Sequence, residues 1–280
     1  MTGAWKGGLQ FAAATDLGTV AATTQVTGLT NGATSYTKGS YVQIIASTAA
    51  DSTWIMIYTA TQTSGGSAFA VDIAVGASGS EVAVISNLVC SALEPQGVRY
   101  MFPLTIPAGT RIAARMSDNV GFDSLPIAVT VFSDTSASAG TGAAIDTYGF
   151  LSTTNYGTAI DPGATANTKG SYVQITASTT ADLAGFSLYI DSQGTSTGAV
   201  GPITWLIDVA VGASGSEVVI LPNLFIVGVT GSGFSVTYAP VIPYLPLQIG
   251  AASRIAVRAA CSTGTSPDRV LGITVYGVRQ

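Results

Sequence analysis

An internal repeat constrains this chain more than any other feature. Residues 37–44 return unchanged as residues 168–175, and residues 72–82 return as residues 208–218 with a single substitution. The offset between equivalent residues grows along the chain, so insertions lie in loops between the matched blocks. Two long copies predict two whole domains rather than a solenoid of small repeated units.

The matched blocks have the pattern of β-strands. Residues 41–45, 54–58 and 69–75 are short and rich in β-branched and aromatic side chains, and in the last of them large apolar residues alternate with Ala and Asp. Glycine-rich clusters such as 76–80 separate the blocks, and no segment has helical periodicity. About eight strands per copy predict an all-β protein of two tandem homologous β-sandwich, jelly-roll-like domains.

The joint between the copies is predicted in a segment rich in Ser, Ala and Gly, residues 136–142. This divides the chain into a first β-sandwich of residues 1–138 and a second of residues 139–280. A domain of about 140 residues buries roughly two thirds of its unfolded surface, so each half can hold its own core.

Composition excludes several classes of protein. Charged residues make up 9% of the chain and hydrophobic residues 47%, which is the reverse of the pattern of disordered chains. The resulting low-charge surface of Ser, Thr and Gly favours ordered contacts with other proteins, because few charges have to be desolvated. With a net charge of −5 and no basic run, the chain is not expected to bind nucleic acid. No stretch has the length of a membrane span or the pattern of a signal peptide, so no membrane partner is expected.

The residues needed for common enzyme chemistry are missing. The chain has no histidine, which excludes Ser-His-Asp and Cys-His arrangements and the usual transition-metal sites. The glycine-rich segment 76–80 lacks the Lys of a phosphate-binding loop and is interpreted as a turn. We therefore predict no catalytic residue, no metal and no cofactor.

The few charges are placed systematically. Twelve of the twenty-five charged residues form pairs of equivalent positions in the two copies, which indicates a role in the fold. We predict that carboxylates on one strand meet arginines on a neighbouring strand as structural ion pairs. The candidates are Asp72, Glu81, Arg111 and Arg115 in the first copy and Asp208, Glu217, Arg254 and Arg258 in the second. A paired-carboxylate glycosidase site is the less favoured alternative, because both carboxylates have arginines available.

Aromatic residues and cysteines leave further alternatives open. Trp205 occupies an inward strand position typical of core packing, whereas Trp5 is expected to be exposed and to anchor to a partner. Trp54 and the many tyrosines could instead form a stacking platform for a glycan. Cys90 and Cys261 lie at different places in the two copies and are interpreted as buried hydrophobes, with a disulfide as the alternative.

The order of the motifs resembles a domain of tailed-bacteriophage structural proteins. The resemblance rests on the block at 72–82, the Asn87-Leu88 pair and the segment 103–115, and it covers most of both copies. The second copy departs from the pattern at residues 250–253. The resemblance implies a virion component and transfers no catalytic residue.

The resemblance and the composition together predict a non-enzymatic structural component of a phage particle, assembled in the host cytoplasm. The positions considered are the tail, the collar or fibre, and capsid decoration. The expected partners are other virion proteins and further copies of the chain in a homo-oligomer. The alternatives are a receptor- or glycan-binding adhesion module that binds a host-surface glycan, and a double jelly-roll major capsid protein.

Overall fold

The computed structural model of the chain describes the following residues: 11–17, 27–32, 34–59, 68–91, 98–119, 124–134, 142–151, 157–192, 201–231, 234–238, 241–265 and 269–280. All regular structure in these ranges is β-strand, which confirms the predicted all-β class. No helix that could cross a membrane is found among them.

The strands of the first copy are β1 (Phe11–Leu17), β2 (Thr27–Thr30), β3 (Val42–Ile45), β4 (Trp54–Thr59), β5 (Ala68–Val75), β6 (Val82–Ser91), β7 (Val98–Phe102), β8 (Ile112–Asp118) and β9 (Ser124–Asp134). Those of the second are β10 (Ile145–Tyr148), β11 (Thr158–Ile160), β12 (Val173–Thr176), β13 (Leu183–Ser192), β14 (Gly201–Val211), β15 (Val218–Gly231), β16 (Phe234–Tyr238), β17 (Val241–Leu245), β18 (Ile255–Cys261) and β19 (Leu271–Arg279).

The two copies have the same topology. In the first copy one sheet has the order β1-β9-β4-β7, with β2 also on β9, and strands β3, β8, β5 and β6 are neighbours in that order in the other. The second copy repeats these orders as β10-β19-β13-β17, with β11 on β19, and β12-β18-β14-β15. Each sheet interleaves strands from distant parts of its copy, which is the jelly-roll arrangement predicted from the sequence. Among the described strands, only β16 has no counterpart.

The predicted count of about eight strands per copy was close. Nine strands are described in each copy before β16 is added, because the first strand of the jelly roll is broken into two pieces that lie end to end along the same neighbour. Thus β1 and β2 both pair with β9, and β10 and β11 both pair with β19. Of the predicted joint at 136–142, only Gly142 lies within the described residues, so the domain boundary stays a prediction.

Alternation along the strands builds the cores. Phe69, Val71 and Ile73 of β5 are fully buried, as predicted, but the residues between them on the other face are buried as well, so β5 is covered on both faces. In the second copy Trp205 and Ile207 of β14 are equally buried. Burial of this apolar surface is the main favourable contribution to the stability of each sandwich.

The two sandwiches share a sheet. The edge strand β6 of the first copy pairs in parallel with β10, the edge strand of the second copy, through Ile85 and Ile145. Strands from both copies thereby form one nine-stranded sheet. The contact covers an edge that would otherwise present unpaired backbone groups.

Tyr276 of β19 reaches from the second copy into the core of the first. Its hydroxyl donates to the carbonyl oxygen of Asn87 at 3.1 Å and accepts from the Val89 N–H at 2.7 Å. Its ring lies edge-on to that of Tyr100, with centroids 5.4 Å apart. Because Tyr276 belongs to the same buried cluster as residues of the first copy, the second sandwich completes the core of the first.

A backbone contact at Gly142 fixes the joint from the other side. The Gly142 N–H donates to the Pro103 carbonyl oxygen at 3.1 Å, and the Thr105 N–H donates to the Gly142 carbonyl oxygen at 3.1 Å. A Cβ atom at Gly142 would lie 2.9 Å from that Pro103 oxygen and 3.0 Å from the Arg279 carbonyl oxygen. Only glycine allows the two backbones to approach this closely.

Candidate functional site

The candidate site of each copy lies on the outer face of a sheet. Asp72 stands on β5 directly opposite Arg115 of β8 in the cross-strand register. The carboxylate faces away from the core, as the strand alternation predicted, yet the residue is buried. A buried carboxylate requires compensating donors, and the neighbouring strands supply them.

Three donors converge on the Asp72 carboxylate. Lys38 Nζ lies 2.8 Å from Oδ1, the Asn87 N–H donates to Oδ1 at 2.9 Å, and Arg115 Nε donates to Oδ2 at 2.8 Å. Lys38 also donates to the Ala70 carbonyl oxygen at 2.8 Å. The carboxylate therefore ties β5 to β6, to β8 and to the segment that precedes β3.

A bulge in β6 brings the Asn87 N–H to Asp72. The register of β5 and β6 shifts between Val71 and Ile73, and Asn87 has a φ angle of 57°. This left-handed conformation is costly for most residues and is tolerated by Asn and Gly. Asn87 recurs in the second copy as Asn223, but this role was not predicted from the sequence.

An aromatic ring lies over the arginine of the cluster. The guanidinium carbon of Arg115 is 4.5 Å from the centroid of the Tyr41 ring, within the range of a cation–π contact. Tyr41 is half-buried and stands at the start of β3. Lys38 and Tyr41 both lie in the repeated block 37–44, but neither was predicted to belong to the site.

The second copy reproduces the cluster around Asp208. Lys169 Nζ lies 2.5 Å from Oδ1, the Asn223 N–H donates to Oδ1 at 2.9 Å, and Arg258 Nε donates to Oδ2 at 2.9 Å. The Tyr172 ring covers Arg258 at 4.5 Å. Asn223 has a φ angle of 52°. The repeated element is therefore a complete geometry, in which every group of the first copy has its counterpart.

A second ion pair in each copy lies at the end of the same sheet, next to the turn between β5 and β6 or between β14 and β15. Arg111 Nη1 donates to Glu81 Oε1 at 3.0 Å and to the Gly76 carbonyl oxygen at 3.1 Å, while its Nε donates to Gln43 Oε1 at 3.0 Å. The glutamate also accepts from the Gly79 N–H at 2.9 Å. The arginine therefore links the β5–β6 turn to β3.

The equivalent groups of the second copy make the same bonds. Arg254 Nη1 lies 3.0 Å from Glu217 Oε1 and 3.2 Å from the Gly212 carbonyl oxygen, and Arg254 Nε lies 3.1 Å from Gln174 Oε1. The structure thus places all eight charged residues singled out in the sequence in four ion pairs.

These contacts favour the ionised carboxylates. Burial alone would raise the pKa of Asp72, but the charge and hydrogen bond of Lys38, the Asn87 N–H and the Arg115 guanidinium outweigh it and hold the pKa below its usual value. The pKa of Asp208 is lowered in the same way against its burial, by Lys169, Asn223 and Arg258. A general acid of a glycosidase needs a raised pKa, so this environment is the opposite of the one such chemistry requires.

The pKa values of the two glutamates are lowered as well. The pKa of Glu81 lies below its usual value, first because its own backbone N–H donates to the carboxylate and then because of Arg111 and Gly79. Glu217 has the matching shift, with its own backbone N–H, Arg254 and Gly215 as donors. The ion pairs therefore suit a role in binding the sheet together.

Three of the remaining sequence hypotheses fall within the described residues. Trp205 is fully buried and its Nε1 donates to the Arg269 carbonyl oxygen at 3.0 Å, which confirms the core interpretation. Trp54 is also buried, so it offers no exposed platform. Cys90 and Cys261 are both buried and neither forms a disulfide, as the hydrophobe interpretation predicted. Trp5 lies outside the described residues.

One cleft opens at the end of the first sandwich. It has a volume of about 540 Å³ and lies between the β5–β6 turn and the β7–β8 loop, with Val84, Ile106, Pro107, Thr110 and Arg111 in its wall. Within the described ranges, no group of three or more Cys, Asp or Glu side chains is placed to hold a metal ion.

Comparisons with known proteins assign no family to the chain. No family model matches, and no curated protein matches. A structure of PNGF-II superposes with a TM-score of 0.36 and 10% identity over 86% of this chain, which spans 59% of the PNGF-II chain. The N-terminal CBM22-1-CBM22-2 tandem domain of Paenibacillus barcinonensis Xyn10C superposes with a TM-score of 0.28 and 10% sequence identity. The match covers 96% of this chain and 92% of the tandem-domain chain. TM-scores of this size assign no function.

Proposed function

We propose that the chain is a non-enzymatic structural subunit that acts by assembling with other proteins, as a component of a tailed-phage particle. The assembly role is argued from the geometry. The phage setting, in the tail, the collar or fibre, or as capsid decoration, rests on the sequence resemblance.

The joint between the copies is the observation that carries the proposal. The two sandwiches contact each other through the paired edge strands β6 and β10, through Tyr276, which enters the core of the first copy, and through Gly142, which permits close backbone approach. These are the elements from which stable, specific protein interfaces are made. A contact of this kind within the chain supports a role in which the chain also binds neighbouring proteins.

The charged groups support the same conclusion. The repeated carboxylates are held ionised by cationic donors of their own sandwich, so they brace the sheets and are poorly suited to proton transfer. The sandwiches thereby gain rigidity, which a subunit of a large particle needs.

The test is to find the chain in purified particles. Phage particles produced from a genome that carries this gene are banded on a density gradient and analysed by quantitative peptide mass spectrometry. Peptides of the chain at a fixed copy number per particle are expected. Their absence from infectious particles would overturn the proposal, and the copy number itself distinguishes a tail or fibre element from a capsid protein.

Glycan binding is the second candidate, favoured by one observation. Tyr41 and Tyr172 are half-buried and occupy equivalent positions, each next to an arginine and an aspartate. Aromatic faces beside charged groups are suited to sugars, and two equivalent sites would bind a repeating polysaccharide with avidity. Binding on a glycan array that is lost in the Tyr41→Ala, Tyr172→Ala double variant would favour this candidate over purely structural assembly.

A further inference from the structure

Three apolar positions of the first copy are buried because the second copy lies on or beside them. Val89 of β6 is 1% exposed and donates its N–H to Tyr276. Pro103 and Leu104, which follow β7, are buried at the bridge to Gly142, which bonds to the Pro103 carbonyl oxygen and to the Thr105 N–H. These positions define the receiving surface of the joint.

The second copy keeps apolar residues at the equivalent positions and leaves them uncovered. Phe225 stands where Val89 stands in the first copy and is 59% exposed. Pro246 and Leu247 stand where Pro103 and Leu104 stand, and they are exposed and half-buried respectively. Large exposed apolar side chains at an interface position indicate a contact that is completed by another molecule.

The extra strand of the second copy leaves this surface open. β16 pairs with β15 only at residues 227–231. The segment 221–225, which corresponds to the part of β6 that contacts the second copy, has no strand on its outer side among the described residues. Within the described residues, the outer edge of this segment is therefore open to pairing with another strand.

The complementary surface is present on the first copy. β1 occupies the place in its sheet that β10 occupies in the second copy, next to the long last strand. Phe11 lies opposite Asp134 as Ile145 lies opposite Val278, so an apolar residue stands at the position that pairs with β6 in the internal joint. Within the described part of the chain, β1 pairs with β9 alone.

We propose that the free edge of β15 receives the first sandwich of a second copy of this chain, in the way that β6 receives β10 within one chain. The proposal rests on the assembly role argued above and names the partner. A contact between two different surfaces of the same chain is heterologous, so it propagates head to tail into a ring or an open filament.

The contact between chains is weaker than the internal joint. Phe132 stands at the position of Tyr276 and lacks the hydroxyl that bonds to Asn87 and Val89. Ala14 stands at the register position of Thr147, whose hydroxyl donates to the Ser86 carbonyl oxygen. Three hydrogen bonds are therefore lost, and the association is reversible and dependent on concentration.

Sedimentation velocity over a concentration series tests the proposal. The wild-type chain is expected to grow from 28.1 kDa into larger species as its concentration rises. Phe225→Asp is expected to lower the association constant by at least about tenfold, because it places a charge in an apolar contact. Val82→Asp is the matched control. Val82 is 65% exposed and belongs to β6, not to the β15 and β1 edges that form the proposed contact, so its replacement is expected to leave association unchanged.

Mixing two blocked variants tests the head-to-tail geometry. Phe225→Asp blocks the edge of β15, and Phe11→Asp blocks the edge of β1 that would bind it. Each variant alone is therefore expected to stay at the mass of one chain. An equal mixture is expected to form a species of twice that mass and no larger. A wild-type chain that stays monomeric at every concentration, association unaffected by Phe225→Asp, or a mixture that forms no dimer would each overturn the proposal. A chain present in particles but monomeric in solution would contradict this contact and leave the structural role standing.

Discussion

At the scale of single residues, the most informative side chain is that of Asp72, which stabilises the sheet by binding neighbouring segments. Asp72 accepts from three different segments of the chain, and its side chain is 5% exposed. Removing a partner from a buried ion pair is costly because the remaining charge loses its compensation. Asp161 provides the contrast, since it pairs with Arg269 at the surface and its side chain is 51% exposed.

Asp72→Ala is therefore expected to lower the free energy of unfolding by about 3 kcal/mol, because the partly buried Lys38 and Arg115 both lose their anion. Asp161→Ala, the matched surface control, is expected to cost less than about 1 kcal/mol. Urea unfolding followed by circular dichroism measures both. Equal costs for the two variants would mean that the Asp72 cluster does not brace the sheet.

The same aspartates predict a dependence on pH. Their pKa values lie below the unfolded value of about 3.9. A carboxyl with a lowered folded pKa contributes stability that is present above the unfolded pKa and is lost as the pH falls through the folded value. The wild-type chain is expected to lose stability below about pH 4, and the Asp72→Asn, Asp208→Asn double variant to lose less over the same interval. Unfolding curves at pH 7, 5, 4 and 3 measure this, and parallel losses in the two proteins would contradict it.

At the scale of elements, strands and turns followed from local sequence, whereas the bulges did not. The alternation in 69–75 predicted both the strand and its buried face, because side-chain direction depends only on neighbours along the chain. The bulge at Asn87 depends on the register between β5 and β6, and the approach of Lys38 depends on how a distant loop packs. The cross-strand pair of Asp72 and Arg115 was predictable as a pairing of charges, but its further donors were not.

The bulge makes a specific prediction. Asn87→Gly is expected to leave the free energy of unfolding nearly unchanged. Asn87→Ala is expected to lower it by about 1–2 kcal/mol, because the left-handed conformation is less favourable for alanine. The same pair of substitutions at Asn223, which is away from the joint within the chain, is the control for effects on that joint, measured at a concentration too low for association between chains. Thermal unfolding measures all four variants. Equal stabilities of the Gly and Ala variants at both positions would exclude a backbone role.

At the scale of the whole molecule, two copies of one sandwich make a single body through a shared sheet. The repeat predicted two similar sandwiches, but nothing local in the sequence predicted that β10 would pair with β6 or that Tyr276 would enter the other core. The difference between Tyr276 and its counterpart Phe132 is readable in the sequence only after the joint is known. Tertiary pairing of this kind depends on distant residues.

Tyr276→Phe is expected to destabilise the first sandwich by about 1–3 kcal/mol, because the Val89 N–H is left buried without a partner. Tyr148→Phe is the control, since the Tyr148 hydroxyl bonds to Asp146 and to the exposed Thr180, where water can replace it. Calorimetry measures the effect, and Tyr276→Phe is expected to separate the two sandwiches into distinct transitions. A single unshifted transition would show that the joint does not couple them.

The claim that this chain works by assembly is tested most directly by cryo-electron microscopy of purified particles at a resolution that separates strands. We expect many copies of the double sandwich, with the edge of β15 covered by a neighbouring chain. Particles that contain no density for this fold, or copies whose β15 edge faces solvent throughout, would contradict it.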